Sequence, residues 1–181
     1  MSRIVTITGS PSETSRTARL ARDVGGWLTA REFDVSTVNV RDLPAAELLQ
    51  ARADAPPIAE AVAAVEGAQG VVLCSPVYKA AYSGILKTFL DLLPQTALAG
   101  KVVLPLMTGG TIAHVLALDY AFRPVLTALG AQHVVTGLFI LDKTIGVRDD
   151  GGIDLAADIR ARLDAVLADF GASVVRLAQQ R

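Results

Sequence analysis

The sequence has little of what usually carries catalysis or metal binding. Cys74 is its only cysteine, so an intramolecular disulfide is excluded, which agrees with a reducing compartment. That cysteine lies inside the apolar run Val71-Val72-Leu73-Cys74, where a buried, inert thiol is the expected role. His114 and His133 are the two histidines, and they stand far apart. No H-x-x-H, C-x-x-C, paired-carboxylate or Ser/His/Asp arrangement can be read by spacing. Aromatic residues make up only 5% of the chain, so its core must be built mostly of Ala, Val and Leu. A net charge of −1 gives no electrostatic grip on nucleic acid or on an anionic membrane. Apolar stretches are broken, by Lys101 and His114 for example, well short of the roughly 20 residues a membrane span needs. Neither G-x-G-x-x-G nor G-x-x-x-x-G-K-[ST] occurs, which sets aside the dinucleotide Rossmann loop and the P-loop. No signal peptide is expected ahead of Ile4, which already belongs to the fold, so the expectation is a soluble cytoplasmic protein.

What remains is a globular composition, 51% apolar and 19% charged over 181 residues. A single domain of that length buries about 70% of its unfolded surface. Its opening sets the pattern. The apolar run Ile4-Val5-Thr6-Ile7 reads as a strand, and Thr8 to Thr17 follows it as a hydroxyl-rich loop broken by Gly9 and Pro11. The loop delivers the chain to a helix, whose first turn presents unpaired N–H groups and a partial positive charge. Ser10, Ser12, Thr14, Ser15 and Thr17 add hydroxyls and Arg16 adds a fixed charge, a set that fits a phosphate monoester. Ser and Thr are equally the ordinary helix N-caps, so a capped helix without any ligand is the other reading.

The remaining elements alternate. A helix is predicted over 17–30 with Trp27 in the core, then a near-edge strand over 33–40, an excursion over 41–57 and a helix over 58–66. A buried strand over 69–75 is expected to stop at Pro76, leaving a loop to Gly84 before a helix over 85–93. A further strand spans 101–107, a polar turn 108–111, a helix 113–129, a strand 133–141 and a long amphipathic helix 154–177. Five strands alternating with helices predict a doubly wound parallel sheet in the order 2-1-3-4-5, with helices on both faces. In that order the first, third and fourth strands are neighbours, so the three Gly/Pro/Ser/Thr-rich loops share one pocket at the carboxyl rim. With phosphate in the first loop, the other two are left for a flat body, as in FMN. Pro76, Val77 and Tyr78 would offer an apolar edge, and Gly109 and Gly110 would let backbone N–H groups come close. Hydride transfer onto a flavin needs two rings positioned and no acid or base, which suits the missing catalytic constellations. Lys87 and Asp91, four apart on a helix, are expected to form a surface ion pair. Pro124 is expected to distort the helix around Tyr120, because it has no N–H for the carbonyl of that residue.

Three groups of segments resemble the NADPH-dependent FMN reductases over about residues 3 to 142. They are Gly9-Ser10-Pro11 with Ser15-Arg16; the nine-residue run Pro76-Val77-Tyr78-Lys79-Ala80-Ala81-Tyr82-Ser83-Gly84 with Leu90-Asp91-Leu92-Leu93-Pro94; and Gly100 to Pro105 with Thr108-Gly109-Gly110-Thr111. The likeness is strongest to the reductase of two-component alkanesulfonate monooxygenase systems. It implies a flavodoxin-like domain using FMN and NADPH, with Ser10, Ser15, Arg16 and Thr17 on phosphate. It further implies that Pro76, Val77, Tyr78 and Lys79, with Ser83 in the same loop, line the isoalloxazine, and that Thr108, Gly109, Gly110 and Thr111 flank its pyrimidine end. Tyr120 matches a residue that makes a π-bulge at the family's subunit interface, so a homo-oligomer, dimer or tetramer, is implied, as is a monooxygenase that receives the reduced flavin. An FMN-bound quinone or azo reductase and a flavodoxin-like electron carrier are the alternatives. The weak net charge counts against the carrier.

Overall fold

The structure is a computed structural model that describes residues 1–179. Ile4, Val5 and Ile7 are fully buried and two of the three alternate faces, which fixes β1 (Arg3–Thr8) as a central strand. Its parallel neighbours are β2 (Asp34–Asn39), with Arg3 opposite Asp34, and β3 (Gly70–Tyr78), with Ile4 opposite Gly70. A short strand β4 (Ala81–Tyr82) turns back antiparallel on β3, and β5 (Val102–Gly109) lies parallel on β3's far side. The last position is shared by β6 (His133–Val134) and β7 (Leu138–Leu141), both parallel to β5. Taken as one interrupted strand, they complete the expected 2-1-3-4-5 order.

The sheet is covered on both faces. Helices α1 (Arg16–Thr29) and α6 (Ala157–Ala178) place Leu20, Val24, Leu163 and Phe170 against Ile4, Val72 and Leu104. On the other face lie α3 (Pro56–Gly67), α4 (Gly84–Leu90) and α5 (Arg123–Ala128), with Ile58, Val65, Phe89 and Leu126 against Val5, Ile7 and Val103. Each such side chain contributes about 1.5–3 kcal/mol by leaving water. A five-residue helix α2 (Ala45–Leu49) interrupts the excursion after β2. No described helix is long and apolar enough to cross a membrane.

The structure departs from the sequence expectations in five places. Pro76 does not end its strand: β3 runs on to Tyr78 and pairs with β4, so the loop is a hairpin with Lys79 and Ala80 at its two-residue tip. Both tip residues have positive φ, 50° and 62°, as a type I′ turn demands. Pro56 and Pro57 open α3 rather than precede it, in the first turn where a missing N–H is no loss. The fifth strand is split because Pro105, in mid β5, cannot donate to the ladder, and Gly137 passes its carbonyl so closely that a Cβ there would lie 2.6 Å from the oxygen. The predicted helix 113–129 is a 3-10 turn (Ile112–His114), a π-helix (Leu118–Phe122) and α5. Finally, residues after Thr144 form a hairpin, β8 (Ile145–Val147) with β9 (Ile153–Leu155), and α6 starts only at Ala157.

Candidate active site

The carboxyl ends of β1, β3 and β5 stand side by side, and the segments leaving them are fastened by hydroxyl groups. Thr17 Oγ1 lies 2.6 Å from Thr108 Oγ1, a buried pair that joins the first segment to the third. Ser83 Oγ donates to the Gly9 carbonyl at 2.6 Å, and its own N–H donates to Ser75 Oγ at 2.9 Å, joining the first to the second. The Gly9 N–H reaches the Cys74 carbonyl at 2.9 Å. Gly9 is required by this closeness, since a Cβ would sit 2.5 Å from that of Leu86. Burial pushes the Cys74 thiol beneath it up to about 12, so the thiol stays neutral and unreactive.

At the start of α1, Ser15 is the N-cap and accepts from the Ala18 N–H at 3.1 Å. Ser10, fully buried, supports it from below, its hydroxyl 2.5 Å from that of Ser15 and 3.1 Å from the Ser12 carbonyl. The first turn of α1 holds no acidic residue, so its positive end is left for an anion. Arg16 Nε donates to the Ile145 carbonyl at 3.1 Å, which pins the guanidinium beside that end.

A cleft of about 220 Å³ opens between these segments, lined by Ser15, Arg16, Thr17, Pro76, Val77, Tyr78, Thr108, Gly109, Gly110 and Asp142. Nine of those ten residues are ones the sequence singled out. Ser10 and Ser83 lie in the layer beneath, where their hydroxyls hold the segments in place. Lys79, at the hairpin tip, and Thr111, capping the Ile112–His114 turn, are exposed and outside the lining. Gly109 is needed for a reason other than ligand approach: a Cβ would meet the Phe139 ring at 2.9 Å. Gly110 faces open space. Asp142 was missed. The signal was its place immediately after the fifth strand, whose carboxyl end opens on the same rim.

Beside the cleft, the Tyr82 ring stacks on Phe122, centroids 5.0 Å apart and planes at 24°, tying the hairpin to the π-helix. The Arg123 N–H bonds to the Leu118 carbonyl, five residues back, a π pattern around Tyr120 of the kind that the resemblance implied, in a helix where Pro124 predicted a distortion. Tyr120 is 78% exposed, with Ile112 and Leu116 exposed nearby in sequence. Lys87 and Asp91 form the expected ion pair at 2.5 Å, and that bond raises the Lys87 ammonium above its ordinary value. A larger groove, about 560 Å³, lies far from the rim between α1 and α6. Trp27 lines it, half-buried and packed against the core cluster on this face, with the Arg31 guanidinium 3.4 Å above its ring.

A doubly wound sheet with a hydroxyl-bearing helix N-terminus at its switch point defines an α/β protein of the flavodoxin-like class. Residues 2–146 match the NADPH-dependent FMN reductase family, and the chain belongs to that family. It is 44% identical over 174 residues to an FMN reductase (NADPH) of Pseudomonas putida, covering 96% of this chain and 88% of that one. It is 42% identical to an FMN reductase (NADPH) of Escherichia coli, over 93% and 87% of the two chains. Among solved structures, an apo NADH:FMN oxidoreductase superposes with a TM-score of 0.87 at 41% identity, over 96% and 90% of the chains.

Proposed function

We propose that this protein uses NADPH to reduce FMN at the three-segment cleft and passes the reduced flavin to a partner monooxygenase, of the sulfonate-desulfonating type. The observation that carries the reading is the α1 N-terminus with Ser15, Arg16 and Thr17, bound by the Thr17–Thr108 pair to the segment that would face the ring. The donor set fits an FMN phosphate: N–H groups, two hydroxyls, a guanidinium and no first-turn carboxylate. Pro76, Val77 and Tyr78 give an apolar wall for a flat ring, with Lys79 at the hairpin tip beyond it, and Thr108, Gly109 and Gly110 line the side that would receive the pyrimidine end.

Flavin bound there supplies a ring that accepts hydride, so no protein acid or base is required. The chain's own task is to hold and orient. Thr17, fixed by Thr108, would hold the phosphate end beside the β5 segment, and Pro76, Val77 and Tyr78 would support the ring. The cleft is smaller than the roughly 300–1,000 Å³ usual for ligand pockets, and Tyr78 is 51% exposed. A ring held so openly has a route out, which supports transfer to a second protein. The exposed apolar side chains around Tyr120 support assembly into a homo-oligomer, and the free thiol of Cys74 is in keeping with the reducing cytoplasm.

Mixing the purified protein with NADPH and FMN under anaerobic conditions is expected to bleach the flavin absorbance catalytically. Absence of turnover with both NADPH and NADH would overturn the reading. Adding a flavin-dependent monooxygenase with a sulfonate substrate is expected to release sulfite, and failure to do so while FMN is reduced removes the partner assignment alone.

A further inference from the structure

Of the polar side chains lining the cleft, Ser15, Arg16, Thr17 and Thr108 each have a partner within the chain. Tyr78 and Asp142 have none among the described residues. Tyr78 is 51% exposed, which leaves its hydroxyl to water, but Asp142 is half-buried and is the one acidic residue of the lining. Arg16 lines the same cleft, and no ion pair joins the two among the described residues. The place of Asp142 is nevertheless fixed. In the ladder Leu141 stands opposite Gly109, so Asp142 leaves the rim beside Gly110. The turn it opens, Asp142–Thr144, is closed by the Ile145 N–H on the Asp142 carbonyl and by the Thr144 hydroxyl on the Leu141 carbonyl at 2.7 Å. Ile145 is buried in the core, and its carbonyl holds Arg16 at 3.1 Å.

A carboxylate is an acceptor with nothing to donate, and in an open cleft water serves it. A ring that displaces the water has to bring the donor itself, or the group is left unsatisfied. The reductase reading puts the pyrimidine end of a flavin against Thr108, Gly109 and Gly110. That edge alternates acceptor, donor and acceptor: the O2 carbonyl, the N3–H and the O4 carbonyl. Backbone N–H groups of a glycine turn suit the two carbonyls, and Gly110 faces open space. N3–H is the part of the edge that calls for an acceptor, and among the side chains of the lining Asp142 alone accepts without donating.

We propose that Asp142 is a recognition residue whose carboxylate accepts the flavin N3–H, and whose charge opposes the negative charge that two-electron reduction places on the same ring. The inference rests on the reductase reading for the presence of the flavin, and adds which atom of it is read. FMN methylated at N3 is the probe, since it keeps the phosphate and the ribityl chain and lacks only that donor. In fluorescence titrations without any nicotinamide, the wild type is expected to bind FMN about tenfold or more tighter than 3-methyl-FMN, and Asp142→Ala to shrink that preference below about twofold. Asp142→Asn keeps an acceptor oxygen and is expected to keep most of the preference. Without the charge, however, it holds reduced FMN about tenfold tighter relative to oxidised FMN, a rise of about 30 mV in the potential of the bound two-electron couple. Neither variant removes a side-chain bond of the folded chain. Equal binding of the two flavins by the wild type would overturn the assignment, as would equal weakening of both by Asp142→Ala, which would put the carboxylate on the ribityl chain. An unchanged potential in Asp142→Asn would overturn the role given to its charge. A protein that shows the N3–H preference yet reduces no FMN with NADPH or NADH would instead sink the reductase reading and leave this one standing.

Discussion

The rim around the cleft and the segment from Ile112 to Phe122 lie next to each other and are built on opposite principles. At the rim, Ser10, Thr17, Ser75, Ser83 and Thr108 are polar and buried, and each is matched to a partner within the same chain. Along the neighbouring segment, Ile112, Leu116 and Tyr120 are apolar and exposed. Its backbone is a 3-10 turn and a π-helix rather than regular α-helix. The first region has its buried hydroxyls paired with one another and with the backbone. The second places apolar surface where water has to be displaced by something else. The Tyr82–Phe122 stack is the joint between the two regions.

The sharpest way to break the comparison is at Gly9. Gly9→Ala forces a Cβ to within 2.5 Å of Leu86 Cβ, and the expected outcome is a loss of about 3 kcal/mol in urea unfolding together with loss of FMN binding. Next comes the threonine pair. Thr17→Val leaves the Thr108 hydroxyl buried without its partner and is expected to destabilise by about 2 kcal/mol, whereas the double change to Val at 17 and 108 recovers most of that. If Thr17 also touches phosphate, FMN affinity measured by fluorescence quenching stays weak in the double variant. Recovery of both stability and affinity would make the pair purely structural.

Cys74 tests the ground beneath the rim. Its folded value is about 12 against an ordinary 9.0, so below pH 9.0 folded and unfolded chains both keep the proton and the thiol adds no pH dependence. Above that, the unfolded chain releases its proton and the folded one does not, so stability falls by about 1.4 kcal/mol per pH unit. Cys74→Ala is expected to remove this alkaline slope, read as the difference between urea midpoints measured below pH 9.0 and one unit above it. A parallel slope in wild type and variant would mean that the thiol is not sealed. The smallest effect on folding is expected at the other region: Tyr120→Ala, at a position 78% exposed, changes stability by less than about 0.5 kcal/mol but shifts the oligomer distribution in sedimentation velocity. An unchanged distribution would leave the apolar segment without its assigned purpose.

Where one local cause sufficed, the sequence could be read. The β-branched runs of β1, β3 and β5 are buried on both faces, so their hydrophobicity is continuous and unmistakable. The loops after them carried Gly, Pro and hydroxyl residues that announce their ends. Pro124 announced a disturbed helix, since a missing N–H acts on its own turn. The misreadings are those in which two segments decide together. Pro76 stays in its strand because Tyr82 returns to pair with Val77. The fifth strand breaks because Gly137 meets Pro105, some thirty positions earlier, a conflict invisible along either run alone. The hairpin of β8 and β9 has strands of three residues, too short for an alternation to show. Its turn, Asp149-Asp150-Gly151-Gly152, with Gly151 at a φ of 84°, was the legible clue. Asp142, directly after β7, belongs to the same stretch and carries no motif of its own.

The split in that fifth strand has a consequence for how the protein behaves when concentrated. An uninterrupted outer border of hydrogen-bonding groups would invite other chains to extend the sheet sideways, a hazard in a sequence that is 51% apolar. Here that border offers only two residues, then a gap, then four, and the opposite border, β2, carries Asp34, Ser36, Thr37 and Asn39. The proline that spoils the ladder therefore guards the protein against fibre-like growth.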